Sequence, residues 1–180
     1  MQPRRILGLD PGTRVAGWGM IEIHANTQPC RLGSGVLKLG STAPLLERLS
    51  TLRSSLAALL REWQPDLVSL EGVYIGRNAR SALRLGEARG VMMVTVAEAK
   101  VDLLEVPPAL VKRRVAGSGN ASKEQVAVLV ATQLGIEPIF SSFDESDSLA
   151  IALCAGLEKR DGLVKNGEER SSLPPGASLQ

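Results

Sequence analysis

Ile6-Leu7-Gly8-Leu9-Asp10-Pro11-Gly12-Thr13 is the stretch on which the reading of this chain turns. An apolar run of strand length is closed by a carboxylate, and Pro-Gly forces a turn straight afterwards. Proline pushes the residue before it to extended geometry, so Asp10 is placed on the strand and not in the turn. A charged side chain on the first strand of a buried sheet is costly unless something compensates it. Taken alone, Asp-Pro-Gly reads as an ordinary surface turn. Two further acidic positions in similar settings change that reading.

Working outward, residues 4–10 read as a strand, Val15 to His24 as a second and Arg31 to Leu39 as a third. Short turns join them, which predicts an antiparallel meander. From Pro44 to Trp63 the period becomes helical, with Leu45, Leu49, Leu52, Leu56 and Leu59 at three- and four-residue steps and Ser41 or Thr42 as the expected N-cap. Asp66 to Glu71 is a short apolar strand, again finished by a carboxylate. Strand, helix, strand is a crossover unit, so this strand should run parallel to its partner in one sheet. A loop over 72–78 leads to a helix over 79–97 in which Ala82, Gly86 and Gly90 recur every four residues. That spacing lets a second helix approach closely, from this chain or from another copy.

The pattern continues with a strand at Val101 to Val106, a short helix opened by Pro107-Pro108, a glycine-rich connection from Gly117 to Lys123, and a helix from Glu124 to Leu134. A last helix starts near Asp144 and runs to about Lys159. The expected architecture is α/β: a mixed sheet of about five strands flanked by helices. Residues 1–160 are expected to form one domain. Residues 161–180, polar and without periodicity, are expected to form a flexible tail.

Composition narrows the class. Of the 180 residues 44% are apolar, so a sizeable core can form, but only 3% are aromatic, so that core is aliphatic. Net charge is +2, which by itself does not point to nucleic acid. Cys30, Cys154 and the lone His24 form no metal-ligand pattern. Nothing at the N-terminus reads as a signal peptide, and no apolar run approaches the ~20 residues of a membrane span. A soluble cytoplasmic protein without a membrane partner is the expectation.

The third acidic feature is Asp144-Glu145-Ser146-Asp147. Residues three apart share a helix face, so Asp144 and Asp147 can point the same way. N-terminal dipole compensation explains such a pair equally well when it stands alone. Together with Asp10 and Glu71 it suggests a set of carboxylates that would repel one another without bound cations. Oxygen-only ligands suit Mg²⁺ or Mn²⁺, and two such ions can clamp a phosphodiester during in-line displacement.

Four stretches then appear in order: LGLDPGTRVAGWG, LEGVYIGRNARSALRLGEARG, GSGNASKEQV and DESDSLAIAL. Together they resemble the RuvC family of bacterial Holliday junction resolvases, within the ribonuclease H-like superfamily, from about Arg5 to about Glu158. The resemblance implies a Mg²⁺-dependent endodeoxyribonuclease whose catalytic, metal-binding carboxylates are Asp10, Glu71, Asp144 and Asp147, with two ions per site and Mn²⁺ as a substitute. It further implies a homodimer that nicks a four-way junction symmetrically in recombination and repair, and cooperation with the RuvA–RuvB branch-migration complex. Gly72 stands where the family commonly has Gln, and the position of Asp144 is His in some relatives.

For DNA contacts, nine basic residues from Arg77 to Lys123 face four acidic ones over the same interval. A phosphate backbone would be drawn to that segment. Lys112 and Lys123 are the strongest candidates, and by resemblance sit where the family has basic residues important for junction binding or cleavage. Arg77 and Arg80 join them as further basic contacts. Tyr74, the only tyrosine, has an aromatic counterpart in the family implicated in stacking at the branch point. A P-loop is excluded for Gly117 to Lys123, because the four-residue spacing between its glycines is absent. Another ribonuclease H-like nuclease of the YqgF type, an actin-like ATPase or sugar kinase, and a non-catalytic junction binder are the alternatives. The ATPase would need a second phosphate loop and roughly twice the length.

Overall fold

The structure, a computed structural model, describes residues 3–25, 27–72, 79–157 and 163–164. Its elements in chain order are β1 (Arg4–Asp10), β2 (Val15–Ile23), β3 (Cys30–Lys38), α1 (Leu45–Trp63), β4 (Leu67–Glu71), α2 (Ala79–Glu98), β5 (Asp102–Val106), α3 (Pro108–Ala116), α4 (Lys123–Leu134), α5 (Phe143–Gly156) and β6 (Leu163–Val164). The strands lie in the order β3-β2-β1-β4-β5-β6. β1–β2 and β2–β3 are antiparallel, whereas β1–β4 and β4–β5 are parallel. The mixed, helix-flanked sheet expected from the sequence is present. A two-residue sixth strand from the 161–180 segment pairs antiparallel with β5 at the edge.

Strand alternation divides the core into two layers. Leu7 and Leu9 join Leu52, Leu56, Leu60, Ala88, Met92 and Val96 in the layer under α1 and α2. Ile6 joins Val111, Val126, Val130, Leu149 and Ile151 in the layer under α3, α4 and α5. Period two then carries Gly8 and Asp10 to the same face as Ile6, the face covered by α5. On β4, Leu67 belongs to the α5 layer and Val68 and Leu70 to the other, so Glu71 also turns toward α5.

The helix α5 rests on β1 and β2 more closely than bulky side chains would permit. A Cβ at Gly8 would collide with the carbonyl oxygen of Ser148, and one at Gly17 with that of Asp144. Both obstacles are backbone, which cannot swing aside. These glycines therefore let the first two turns of α5 descend onto the end of β1.

Two helix starts are capped differently from the sequence reading. Neither Ser41 nor Thr42 caps α1: the N-cap is Pro44, with no side-chain cap bond. The hydroxyls lie too far upstream of Leu45 to reach the free amides of the first turn. Conversely, α4 starts one residue early, because Ser122 and Gln125 form a reciprocal capping box (Gln125 N to Ser122 Oγ 3.2 Å, Ser122 N to Gln125 Oε1 2.9 Å). Lys123 is consequently the first helical residue and not the end of a loop. Trp18 and Trp63 pack on each other with ring centroids 5.9 Å apart, partly buried against the α1–α2 layer. Among the described residues, no helix is long and apolar enough to cross a membrane.

Candidate active site

The parallel pairing of β1 with β4 ends its register at Leu9↔Leu70. Asp10 and Glu71 are the next residue on each strand, so two carboxylates leave the sheet side by side at the carboxyl end of its parallel pair. Asp147 reaches the same place from the first turns of α5. Asp10, Glu71 and Asp147 line one cavity of about 190 Å³ together with Lys112 and Lys123. Val111, Val126, Ala150 and Ile151 form its apolar wall. A larger cavity of about 830 Å³ lies between the C-terminal parts of α1 and α2, but there Arg53 and Glu98 close on each other at 2.8 Å and no carboxylates converge.

The charges in the small cavity interact strongly. Burial, then the neighbouring charges of Glu71, Asp147 and Asp144, push the Asp10 carboxyl up to about 8, with Lys123 partly offsetting them. Burial and Asp147 also raise Glu71, against the pull of Lys123 and Lys112. Lys123 Nζ donates to Asp147 Oδ2 at 2.8 Å, and that bond holds the ammonium above its ordinary value. Lys112 Nζ donates to the carbonyl of Ala121 at 3.0 Å, which ties α3 to the start of α4.

Among the described residues, no three His, Cys, Asp or Glu side chains are drawn together closely enough to hold one metal ion. The same carboxylates nevertheless perturb each other's protonation. The Lys123 ammonium serves as counter-ion to Asp147. The donors are all oxygens, and burial, followed by the neighbouring carboxylates, holds Asp10 protonated near neutrality. This set fits a hard divalent cation.

Asp144 belongs to the cluster electrostatically, since its charge reaches Asp10. It does not line the cavity: its backbone lies over Gly17 of β2, and its carboxylate is 3.5 Å from Ser142 Oγ. Arg80 lies outside the carboxylate cavity as well. With Thr13, Ser81, Arg84 and Leu85 it lines a separate hollow of about 320 Å³ beside the Asp10-Pro11-Gly12 turn. Tyr74 and Arg77 lie outside the described residues.

Two residues have supporting roles that the sequence does not show, and one of them, Arg89, is counted there among the basic residues of the DNA-drawing segment but turns inward. Arg89 of α2 is buried (8% exposed). Its Nε donates to the Glu71 carbonyl at 3.2 Å, and its guanidinium pairs with Glu105 of β5. The available signal was a cation on the apolar side of α2, between Ala88 and Met92. Glu145 is also buried, and its two oxygens accept from Ser34 Oγ and from Ser141 N and Oγ, each at 2.7 Å. Burial alone would raise Glu145, but these hydrogen bonds hold it below the usual carboxylate range. It locks the start of α5 to β3. Nothing in the DESD run distinguished it from its acidic neighbours.

Comparison with known proteins agrees with this arrangement. A family model described as crossover junction endodeoxyribonuclease RuvC matches residues 6–155. A protein of that name from Dehalococcoides mccartyi is 40% identical over 150 residues, 83% of this chain and 89% of its own length. Another from Myxococcus xanthus is 42% identical over 83% of this chain and 78% of its own. Thermus thermophilus RuvC, solved in complex with a Holliday junction substrate, superposes with a TM-score of 0.79 at 29% identity, covering 85% of this chain and 93% of its own. The yeast mitochondrial resolvase Ydc2, at 17% identity and a TM-score of 0.61, shares the fold. With its two half-buried strand-end carboxylates under an acidic helix start, and with this sequence match over most of its length, the chain belongs to the RuvC family of crossover junction endodeoxyribonucleases.

Proposed function

We propose that this chain resolves four-way DNA junctions as a Mg²⁺-dependent homodimeric endonuclease, with Asp10, Glu71, Asp144 and Asp147 as its metal-binding catalytic carboxylates. The observation that carries the reading is the single cavity in which Asp10, Glu71 and Asp147 face Lys112 and Lys123. Residues 1–160 would form the nuclease domain. A cytoplasmic setting and cooperation with a RuvA–RuvB complex follow from family membership and belong to the same proposal.

Bound Mg²⁺ or Mn²⁺ supplies Lewis-acid stabilisation to the attacking and departing oxygens of an in-line displacement. The protein's own groups prepare for this. Asp10 and Glu71, fixed on adjacent strands, supply rigid oxygen donors from below, and Asp147 supplies one from α5. Were Asp147 to hold the cation, the Lys123 ammonium would be free to face the scissile phosphate, where it would offset the charge that grows as the bond breaks. Lys112 holds a neighbouring phosphate. Arg80, on the other side of the Asp10 turn, extends the basic track along the backbone. Tyr74 and Arg77 keep the DNA-contact roles read for them from the sequence.

Paired nicks require two sites related by symmetry. On α2, an added Cβ at Gly86 or Gly90 meets nothing within 4 Å, while Leu83 and Val94 on the same face are 65% and 56% exposed. This face is the proposed contact with a second copy.

The test is cleavage of a synthetic four-way junction with and without Mg²⁺, beside linear duplex and an RNA–DNA hybrid. Junction-selective, Mg²⁺-dependent cutting that Asp10→Asn abolishes is the expected result. Equal cutting of all three substrates would remove the junction specificity, and undiminished cutting by Asp10→Asn would remove Asp10 from the mechanism.

A further inference from the structure

We infer that Phe143 stacks on a nucleobase at the rim of the carboxylate cleft, and that the hollow beside it receives an unstacked base of the strand being cut. The inference rests on the endonuclease reading above.

The chain has two tryptophans, two phenylalanines and one tyrosine. Among the described residues, Trp18 and Trp63 are spent on each other, and Phe140 is half-buried against the core. Phe143 is 43% exposed. It directly precedes Asp144, and its carbonyl accepts from Ser146 Oγ at 3.0 Å, which fixes the root of the ring in the first turn of α5. Lys123 Nζ lies 5.8 Å from the ring centroid, within the range of a cation–π contact, and the same ammonium bonds Asp147. The aromatic face and the carboxylate cleft thus share one cation. Behind the ring, Ala127, Pro138, Phe140, Ser142 and Ser146 enclose a hollow of about 260 Å³, room for one planar ring.

A nucleotide is the occupant whose chemistry matches both halves. Its phosphate belongs with Lys123 and the carboxylate cleft, and its flat, weakly polar base belongs on an aromatic face one side chain away. Stacking is indifferent to base identity, because every base has a π face. The strands of a four-way junction offer such bases at the branch point. A protein segment docking at the exposed aliphatic residues Ile139 and Val128 would have no need of the Lys123 ammonium.

The experiment compares wild type with Phe143→Ala, Phe143→Leu and Phe143→Trp on a four-way junction carrying either 2-aminopurine or an abasic site next to the nick. Thermal melts of all four proteins accompany the assay. The expected result is a loss of roughly tenfold in junction affinity for the Ala and Leu variants, with wild-type melting and with Trp retaining affinity. Wild type should quench 2-aminopurine more than Phe143→Ala, and the loss should disappear on the abasic junction. Equal affinity and quenching in all variants, or a loss of the same size on the abasic junction, overturns the inference while the endonuclease reading stands. A loss confined to assays containing RuvA–RuvB overturns it in favour of protein docking. Failure of wild type to cut any four-way junction overturns both.

Discussion

Lys123 Nζ and Asp147 Oδ2 stand 2.8 Å apart across the junction of α4 with α5, 24 residues apart in the chain. The ammonium occupies the place of charge compensation that a divalent cation would take over. Lys123→Met is therefore expected to bind Mn²⁺ several-fold more tightly than wild type, since the ion no longer displaces a resident cation. Cleavage should fall by roughly 10²-fold, because the phosphate loses its lysine. Isothermal titration and single-turnover cleavage report the two effects separately, and weaker Mn²⁺ binding by the variant would contradict this role.

Asp10 makes the metal-free protein sensitive to pH in a defined direction. Burial first, then its carboxylate neighbours, push its carboxyl from an ordinary value of 3.8 up to about 8 in the native state. Between those values the folded protein holds a proton that the unfolded chain has released. Its contribution is fully present below the lower value and is lost as pH rises through the upper one. In EDTA, the Tm of wild type should fall relative to Asp10→Asn as pH rises over that window. Adding Mn²⁺ at the alkaline end should raise the wild-type Tm and leave the variant nearly unmoved. A difference that stays flat with pH would show that Asp10 is not the buried proton carrier.

Arg89 holds the end of β4 from behind through the Glu71 carbonyl. Arg89→Met leaves that carbonyl and Glu105 without their partner and is expected to cost about 1–3 kcal/mol in urea unfolding. Arg89→Lys keeps the charge but not the two-pronged geometry. It should recover stability more than turnover, with kcat depressed and KM little changed. Equal recovery of both would reduce Arg89 to a packing residue.

Gly8 lets α5 sit on β1. Gly8→Ala drives a methyl group into the Ser148 carbonyl and past Ala152 N at 2.7 Å. Overpacking of this kind costs about 1–3 kcal/mol, and relief by lifting α5 would carry Asp147 away from Asp10. Stability and Mn²⁺ affinity should fall together, as followed by thermal melts with and without the ion. Loss of stability with unchanged ion affinity would mean that the helix is not lifted.

Much of this was legible in one dimension. Leucines at three- and four-residue steps and alternating strands place the elements within a residue or two, because these periods are imposed by local backbone geometry. Asp10 alone reads as a surface turn; it and Glu71 stand out because each closes an apolar strand and a third acidic site recurs downstream. Lys123 was visible as a cation after a glycine-rich stretch, but its position as the first residue of α4 depends on a capping box read there as loop. Arg89 bonds Glu71 and Glu105, and Glu145 ties nearby Ser141 to distant Ser34, so their roles depend on the fold, and the one local hint is Arg89's place on the apolar side of α2.

Period and polarity along the chain were enough for the sheet, its helices and the two strand-end acids, since each is settled by interactions within a few neighbours. Whether those acids meet Asp147, how deeply Asp10 is buried, and which cation answers them depend on α5 descending onto Gly8 and Gly17. That descent is a matter of packing between segments more than a hundred residues apart, and desolvation exists only once they close.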